Sequence, residues 1–300
     1  MSFLPSIKSI AQLALTGPQM LLGSSPSSVL QSPLEACSQP HLSCHAAFGP
    51  VNTCCTPAPG GQMALTQFWN SDASAGQPGY VGPSDSWTLH GLWPDHCTGT
   101  YDSVCDCSRS GDCSSRNHKC QRSACNRAYG NITAVLERFE QHDLLALMRA
   151  HWKGIAGDEH LWQHEWSKHG TCVSTLEPRC YGDHGYRETE EVVDYFAKAV
   201  ELFGTVPTYR WLADAGIVPS TERTYELAEI REALGRARGV EAVVGCQRNE
   251  LREVWYHYEV LGTVQTGDFI PINPDFTGTH GPGKGCPSTG IKYLPKETSE

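Results

Sequence analysis

A chain of 300 residues can bury a large core. Its formal charge of −10, from 23 Lys and Arg against 33 Asp and Glu, excludes a protein that grips nucleic acid mainly by neutralising many phosphates. It leaves room for an enzyme that binds nucleic acid briefly, and the 13 histidines suit work in acid, because imidazole gains charge as pH falls through about 6.5. The 14 cysteines are too many for a reducing cytosol and lack the repeated CxxC pairs of zinc ribbons, so they point to disulfides in a secreted chain.

Residues 1 to 36 read as a Ser/Pro-rich leader. Lys8, Ile10 to Leu15 and Met20 to Leu22 sketch a signal peptide that Gly17-Pro18 interrupts. No apolar run reaches the roughly 18 residues a membrane helix needs. The ordered domain is expected from Cys37 to about Pro295, and Lys296 to Glu300 reads as a frayed tail. Gln62 to Trp69 alternates as a strand. Trp87 to His90 reads as a second, with Trp87 and Leu89 on one face and His90 on the other, followed by a rigid Trp93-Pro94 turn.

Helices are predicted from Val135, Leu136 and Phe139; along the stripe Val192, Phe196, Ala199, Val200 and Phe203, with Thr189 as N-cap and Gly204 as stop; and through Leu227, Ile230 and Leu234. Val254 to Val260, rich in aromatic and β-branched residues, is predicted as a central strand. Helices and strands without regular βαβ spacing indicate an α+β fold. Asn131-Ile132-Thr133 is a glycosylation acceptor triplet.

Residues 106–125 break the pattern: Cys107, Cys113, Cys120 and Cys125 sit among Ser, Arg and Lys with almost nothing apolar to bury. This is expected to be an insertion: a stapled basic loop that touches substrate, a tolerated surface loop, or a gene-model artefact such as a retained intron.

The chemistry concentrates in two places. His164-Glu165-Trp166-Ser167-Lys168-His169 packs four ionisable side chains into six positions, and on a helix His164 lies over Lys168 and Glu165 over His169. His90-Gly91-Leu92-Trp93-Pro94-Asp95 sets a further histidine on a strand. Two imidazoles facing one another from different elements are what RNA transesterification needs, one taking the 2′-hydroxyl proton and the other protonating the leaving 5′-oxygen. DNA lacks that hydroxyl and cannot react this way. A zinc-protease helix would place its histidines four apart; His164 and His169 are five apart and diverge by about 140°, so no metal is expected.

Trp87 to Asp95 and Trp162 to Cys172 resemble the paired active-site motifs of the ribonuclease T2 family, and Asn52-Thr53-Cys54-Cys55 with Cys37 and Cys44 is similar to its fungal branch. The resemblance covers residues 37 to 295. It implies an α+β fold around a central antiparallel sheet. His169 would be general base and His90 general acid, His164 would orient the phosphate, and Glu165 and Lys168 would stabilise the pentacovalent transition state. Trp93, Asp95 and Tyr101 would hold the base on the 5′ side of the cut. Leu161 stands where the family often has a phenylalanine, which weakens stacking in the second base pocket. The resemblance further implies bridges Cys37–Cys54, Cys44–Cys97, Cys55–Cys180 and Cys246–Cys286, with Cys172 joined to Cys105 or Cys125.

The reading is thus a secreted, or vacuolar or lysosomal, monomeric endoribonuclease acting on single-stranded RNA with low base specificity, without cofactor, metal or membrane. The alternative is a secreted binding or cytotoxic protein on the same fold that acts without catalysis.

Overall fold

The computed structural model describes residues 37, 40–45, 51–111, 120, 125–182, 185–273 and 285–297; the predicted leader, Cys113 and residues 298–300 lie outside them. Among the described residues, strands β1 (Gln62–Phe68), β2 (Thr88–Asp95), β3 (Thr224–Tyr225), β4 (Val243–Gln247), β5 (Glu250–Leu261), β6 (Asp268–Ile272) and β7 (Ile291–Lys292) form one sheet. Its order is β2-β1-β5-β7-β3, with β4 and β6 also paired to β5. Every pairing is antiparallel except a single parallel bridge between β5 and β7.

Helices α1 (Ile132–Arg138), α2 (His142–His151), α3 (Asp158–Lys168), α4 (Glu190–Thr205), α5 (Thr208–Asp214) and α6 (Leu227–Arg238) complete the α+β fold. Asn131 caps α1, its Oδ1 accepting from the Ala134 N–H at 2.8 Å, while Glu159 accepts the N–H groups of Ile132 and Thr133. The α4 stripe buries Val192, Phe196 and Ala199 as predicted, but the helix runs through Gly204 to Thr205. Thr189 precedes it with φ +74° and no side-chain cap bond. Gly239, at φ +85°, closes α6.

Strand periodicity sorts the sheet's two faces. Met63, Leu65, Leu89, Leu92, Tyr256 and Tyr258 join the hydrophobic core. Phe68, His90, Trp93 and Trp255 occupy the opposite face, where their rings meet.

Four sequence expectations need correction. Trp93-Pro94 is not a turn: β2 continues through Pro94, which an edge strand tolerates because one side of its ladder needs no N–H donor. The tail is anchored as far as Glu297. Lys296 donates to the Ser86 carbonyl at 2.7 Å with its ammonium 4.5 Å from the Trp69 ring centroid, and the Glu297 N–H reaches Ser71 O.

The adjacent cysteines pair the other way, as Cys37–Cys55 and Cys54–Cys180. Successive side chains point apart, and in the turn that Asn52 Oδ1 fixes by accepting the Cys54 N–H it is Cys54 that faces Pro178–Tyr181. Cys44–Cys97 and Cys246–Cys286 form as expected, and Cys172 pairs with Cys105. Last, residues 106–125 are not all peripheral. Arg109 and Ser110 are buried, at 3% and 0% exposure, and Cys107 bridges to the buried Cys120.

Candidate active site

His90 owes its direction to an irregularity in the β1–β2 ladder. Thr66 pairs with Gly91 but Gln67 pairs with Leu89, leaving His90 as the extra residue of a β-bulge. The bulge turns His90 to the same face as Gly91 and Trp93, while Leu89 and Leu92 stay in the core. The Thr66 hydroxyl holds it, accepting the Gly91 N–H at 3.1 Å and lying 3.2 Å from the Gly91 carbonyl. Trp152 Nε1 donates to the His90 carbonyl at 2.7 Å, and Trp162 Nε1 to the Trp152 carbonyl at 2.9 Å, tying the bulge to α3. The Phe68 ring stacks on the His90 imidazole at 3.8 Å.

Helix α3 delivers the opposing groups, with His169 as its C-cap residue. Glu165 is fully buried; Oε2 accepts Trp93 Nε1–H at 2.7 Å, and Oε1 lies 3.6 Å from His90 Nε2 with no hydrogen-bond partner among the described residues. The His169 ring stacks on Trp93 at 4.9 Å, and His90 meets Trp93 edge-on at 4.7 Å. His164 stands 6.5 Å from His169, centroid to centroid. The Lys168 ammonium is 5.7 Å from the Tyr101 ring centroid. Of the five predicted catalytic residues, His90, Glu165 and His169 meet the Trp93 indole, while His164 lies beside His169 and Lys168 beside Tyr101.

Gly91 admits no side chain, since an added Cβ would lie 2.0 Å from Glu165 Oε2 and 2.6 Å from Trp93 Nε1. The close approach of the carboxylate to the bulge is the reason for glycine here.

The electrostatics follow from burial. Desolvation holds His169 well below the ordinary imidazole value, with Lys168, His90 and His164 adding repulsion; His90 is lowered in the same way by desolvation, His164 and Lys168. Desolvation pushes Glu165 up to about 8 against the opposing pull of the Trp93 bond and Lys168. Burial thus favours the neutral form of both groups, the free imidazole of His169 and the protonated carboxyl of Glu165. Both ring nitrogens of His169 and Nδ1 of His90 are buried without hydrogen-bond partners among the described residues. Buried polar atoms are rarely left so, which singles these nitrogens out from an ordinary core.

Of the base-binding candidates, Trp93 and Tyr101 flank His169, Tyr101 being 49% exposed with its ring 6.3 Å away. Asp95 pairs with Tyr101 across an isolated bridge, and burial raises its carboxyl to about 7, with Lys168 pulling the other way. A cavity of about 600 Å³ on the reverse of this ribbon is lined by Pro94, His96 and Asp102 among others, and by none of the five catalytic candidates. Asn131 is exposed, so its amide nitrogen can be reached. Sequence reasoning missed Phe68, Thr66, Trp152 and Trp255. Of these, only Trp255 had a signal, the alternation of β5 that sets it opposite Tyr256.

Two imidazoles on separate elements, with a lysine and a buried carboxyl beside them, define a centre for acid–base transfer around an anion. The ribonuclease T2 family pattern matches residues 60–271. Ribonuclease T2-like from Aspergillus fumigatus is 47% identical over 88% of this chain and 57% of its own length. Ribonuclease Trv from Hypocrea rufa is 44% identical over 85% of this chain and 96% of its own. The crystal structure of Actibind, a T2 ribonuclease, superposes with a TM-score of 0.70 at 40% identity, covering 86% of this chain and 97% of that one. The chain belongs to the ribonuclease T2 family. It spans little more than half the length of the Aspergillus fumigatus relative.

Proposed function

We propose that this protein is a metal-independent endoribonuclease that cleaves single-stranded RNA through a 2′,3′-cyclic phosphate with low base specificity. The observation that carries the reading is the pair of imidazoles on separate elements, His90 and His169, whose rings lie 4.7 and 4.9 Å from Trp93, with His90 Nδ1 and both His169 ring nitrogens lacking hydrogen-bond partners among the described residues.

His169, whose burial favours the neutral imidazole, takes the 2′-hydroxyl proton as O2′ bonds to phosphorus. The bond from phosphorus to O5′ breaks, and His90 gives its proton to that oxygen. His90 must be charged for this step, which its burial opposes until a phosphodiester anion lies against it; the reaction therefore favours low pH. His164 and Lys168 supply positive charge to the phosphate, and protonated Glu165 offers Oε1 as a donor to a phosphorane oxygen. Water then opens the cyclic phosphate to a 3′-phosphate with the two imidazoles exchanging roles. Trp93 and Tyr101 stack the base 5′ of the cut, and Asp95 bonds its exocyclic amino group.

Six disulfide bridges among the described residues suit an oxidising compartment, so we assign the protein to the secretory route, as an extracellular or vacuolar or lysosomal monomer glycosylated at Asn131. The test is cleavage of single-stranded RNA by protein from a secretory host, with EDTA at about pH 5 and analysis of the cut ends. Cyclic phosphate ends that vanish in His90→Phe and His169→Phe are expected. Folded, oxidised protein that leaves RNA intact would refute the reading and bring forward the non-catalytic alternative.

A further inference from the structure

The reverse side of α3 is held by the segment that composition marks as peripheral. The Val104 N–H donates to the Lys168 carbonyl at 2.9 Å, with Val104 itself at φ +52°, a conformation unfavourable for a β-branched residue. The Cys105 N–H donates to Thr171 Oγ1 at 3.1 Å, and Cys105 bridges to Cys172. Arg109 completes the set. Its Nη2 donates to the Thr171 carbonyl and its Nη1 to the Leu176 carbonyl, each at 3.1 Å, while Asp106 accepts from Nε at 2.8 Å. Nη1 also lies 4.0 Å from the buried Glu191, and the Arg109 carbonyl accepts Trp166 Nε1–H at 2.7 Å.

His169 sits between these attachments. The residue before it is tied through the Lys168 carbonyl, and the turn after it through Thr171 and Cys172. Its own ring has no hydrogen bond among the described residues, so backbone placement and ring contacts, chiefly stacking on Trp93, orient it. We propose that Arg109 is a positioning residue for the reaction: by clamping the carbonyls of Thr171 and Leu176 it fixes the turn that carries His169 against Trp93 and His90. A guanidinium suits the task because its planar fork meets two carbonyls and a carboxylate at once, which a lysine ammonium on a flexible stem cannot reproduce. The role rests on the reading of His169 as the base.

The titratable groups that act on or lie against His169 are Lys168 and His164 from α3, His90 from β2, and Tyr101 from the following loop. Loosening the turn leaves these residues in place but lets water reach the ring. The measurement is therefore NMR titration of the His169 ring protons, assigned by their absence in His169→Phe, together with kcat and KM against pH. The proteins compared are wild type, Arg109→Met, Arg109→Lys and a control, Arg238→Met. Arg238 is half-buried over the rings of Tyr256 and Tyr258 and donates to the His257 carbonyl at 2.8 Å, outside the catalytic turn.

In Arg109→Met the His169 midpoint should rise by about one pH unit toward an unperturbed imidazole, and the acid limb of kcat/KM should rise with it. The kcat should fall about tenfold with KM changed less than about twofold. Arg109→Lys should recover part of both effects, and Arg238→Met should lower Tm without moving His169. An unchanged His169 midpoint and kcat in folded Arg109→Met overturn the proposal; if that variant does not fold, wild-type values in Arg109→Lys overturn it. Wild-type protein that cuts no RNA overturns the ribonuclease reading instead, and the titrations still decide whether Arg109 places the ring.

Discussion

On one side α3 presents His164, Glu165 and Lys168 to β2, with His169 at its cap; on the other, Gln163, Trp166 and Ser167 pack against the stretch from Arg109 to Gly111. The front is ionisable side chains held near one indole. The back is hydrogen bonds from side chains to main-chain carbonyls. One helix therefore serves chemistry with side-chain identity and architecture with backbone geometry, and substitutions on its two sides should read out differently.

The largest effect belongs to the front. Replacing His169 or His90 by Phe should cost at least about 10³-fold in kcat on RNA, because each removes a proton-transfer partner. Tm should hold or rise for His169→Phe, since both ring nitrogens are buried without partners. A variant that kept wild-type cleavage would abolish the distinction between the two sides of α3.

Next comes Gly91→Ala, which touches the front without altering any ionisable group. The added Cβ would lie 2.0 Å from Glu165 Oε2, so carboxylate or bulge must move, and a loss of about 10²-fold in kcat is expected from misplacement alone. A crystal structure of the variant with Glu165 unmoved and full activity would contradict this account.

The front was legible because its chemistry is concentrated. His90 and the His164 to His169 run stand out by residue type and spacing, Trp93, Asp95 and Tyr101 enter as base-binding candidates only through the family resemblance, and the α4 stripe and β5 stand out by periodicity. The back was illegible for a physical reason. Burial was inferred from apolar content, yet Arg109 and Ser110 are buried by bonding carbonyls and hydroxyls, which leaves no hydrophobic signature. The bulge at His90 was equally hidden, because it depends on a one-residue register shift supported by Thr66 on the neighbouring strand. The Cys54 and Cys55 partners turn on which way two adjacent side chains point, which spacing does not encode.

A smaller effect separates charge from placement at Glu165. Its folded value of about 8 lies above the 4.5 of an ordinary glutamate, so between these pH values the native state keeps a proton that the unfolded chain has lost. Stability from this group is therefore lost as pH rises through that window. In Glu165→Gln the penalty is gone, and Tm relative to wild type should be unchanged near pH 4 and higher by several degrees near pH 8. His90, His169 and His257, all held low by burial, act in the opposite sense, costing stability as pH falls below about 6.5. Both proteins retain them, so the difference curve isolates the carboxyl. A flat difference would mean that Glu165 is ionised in the native site.

The smallest effect tests the back alone. Ser167 bonds the Ser110 carbonyl and shares a 2.5 Å contact with the Ser110 hydroxyl, both fully enclosed. In Ser167→Ala the Ser110 carbonyl loses a donor, and a loss of about 1 kcal/mol is expected, read as a lower urea midpoint at unchanged slope. The kcat should stay within about twofold, because Val104, Cys105 and Arg109 still hold the backbone on both sides of His169. That outcome would place the link between architecture and chemistry in the clamp on the turn rather than in the packing of α3 as a whole. A tenfold fall in kcat from this one hydroxyl would show instead that the entire back of the helix sets the position of the base.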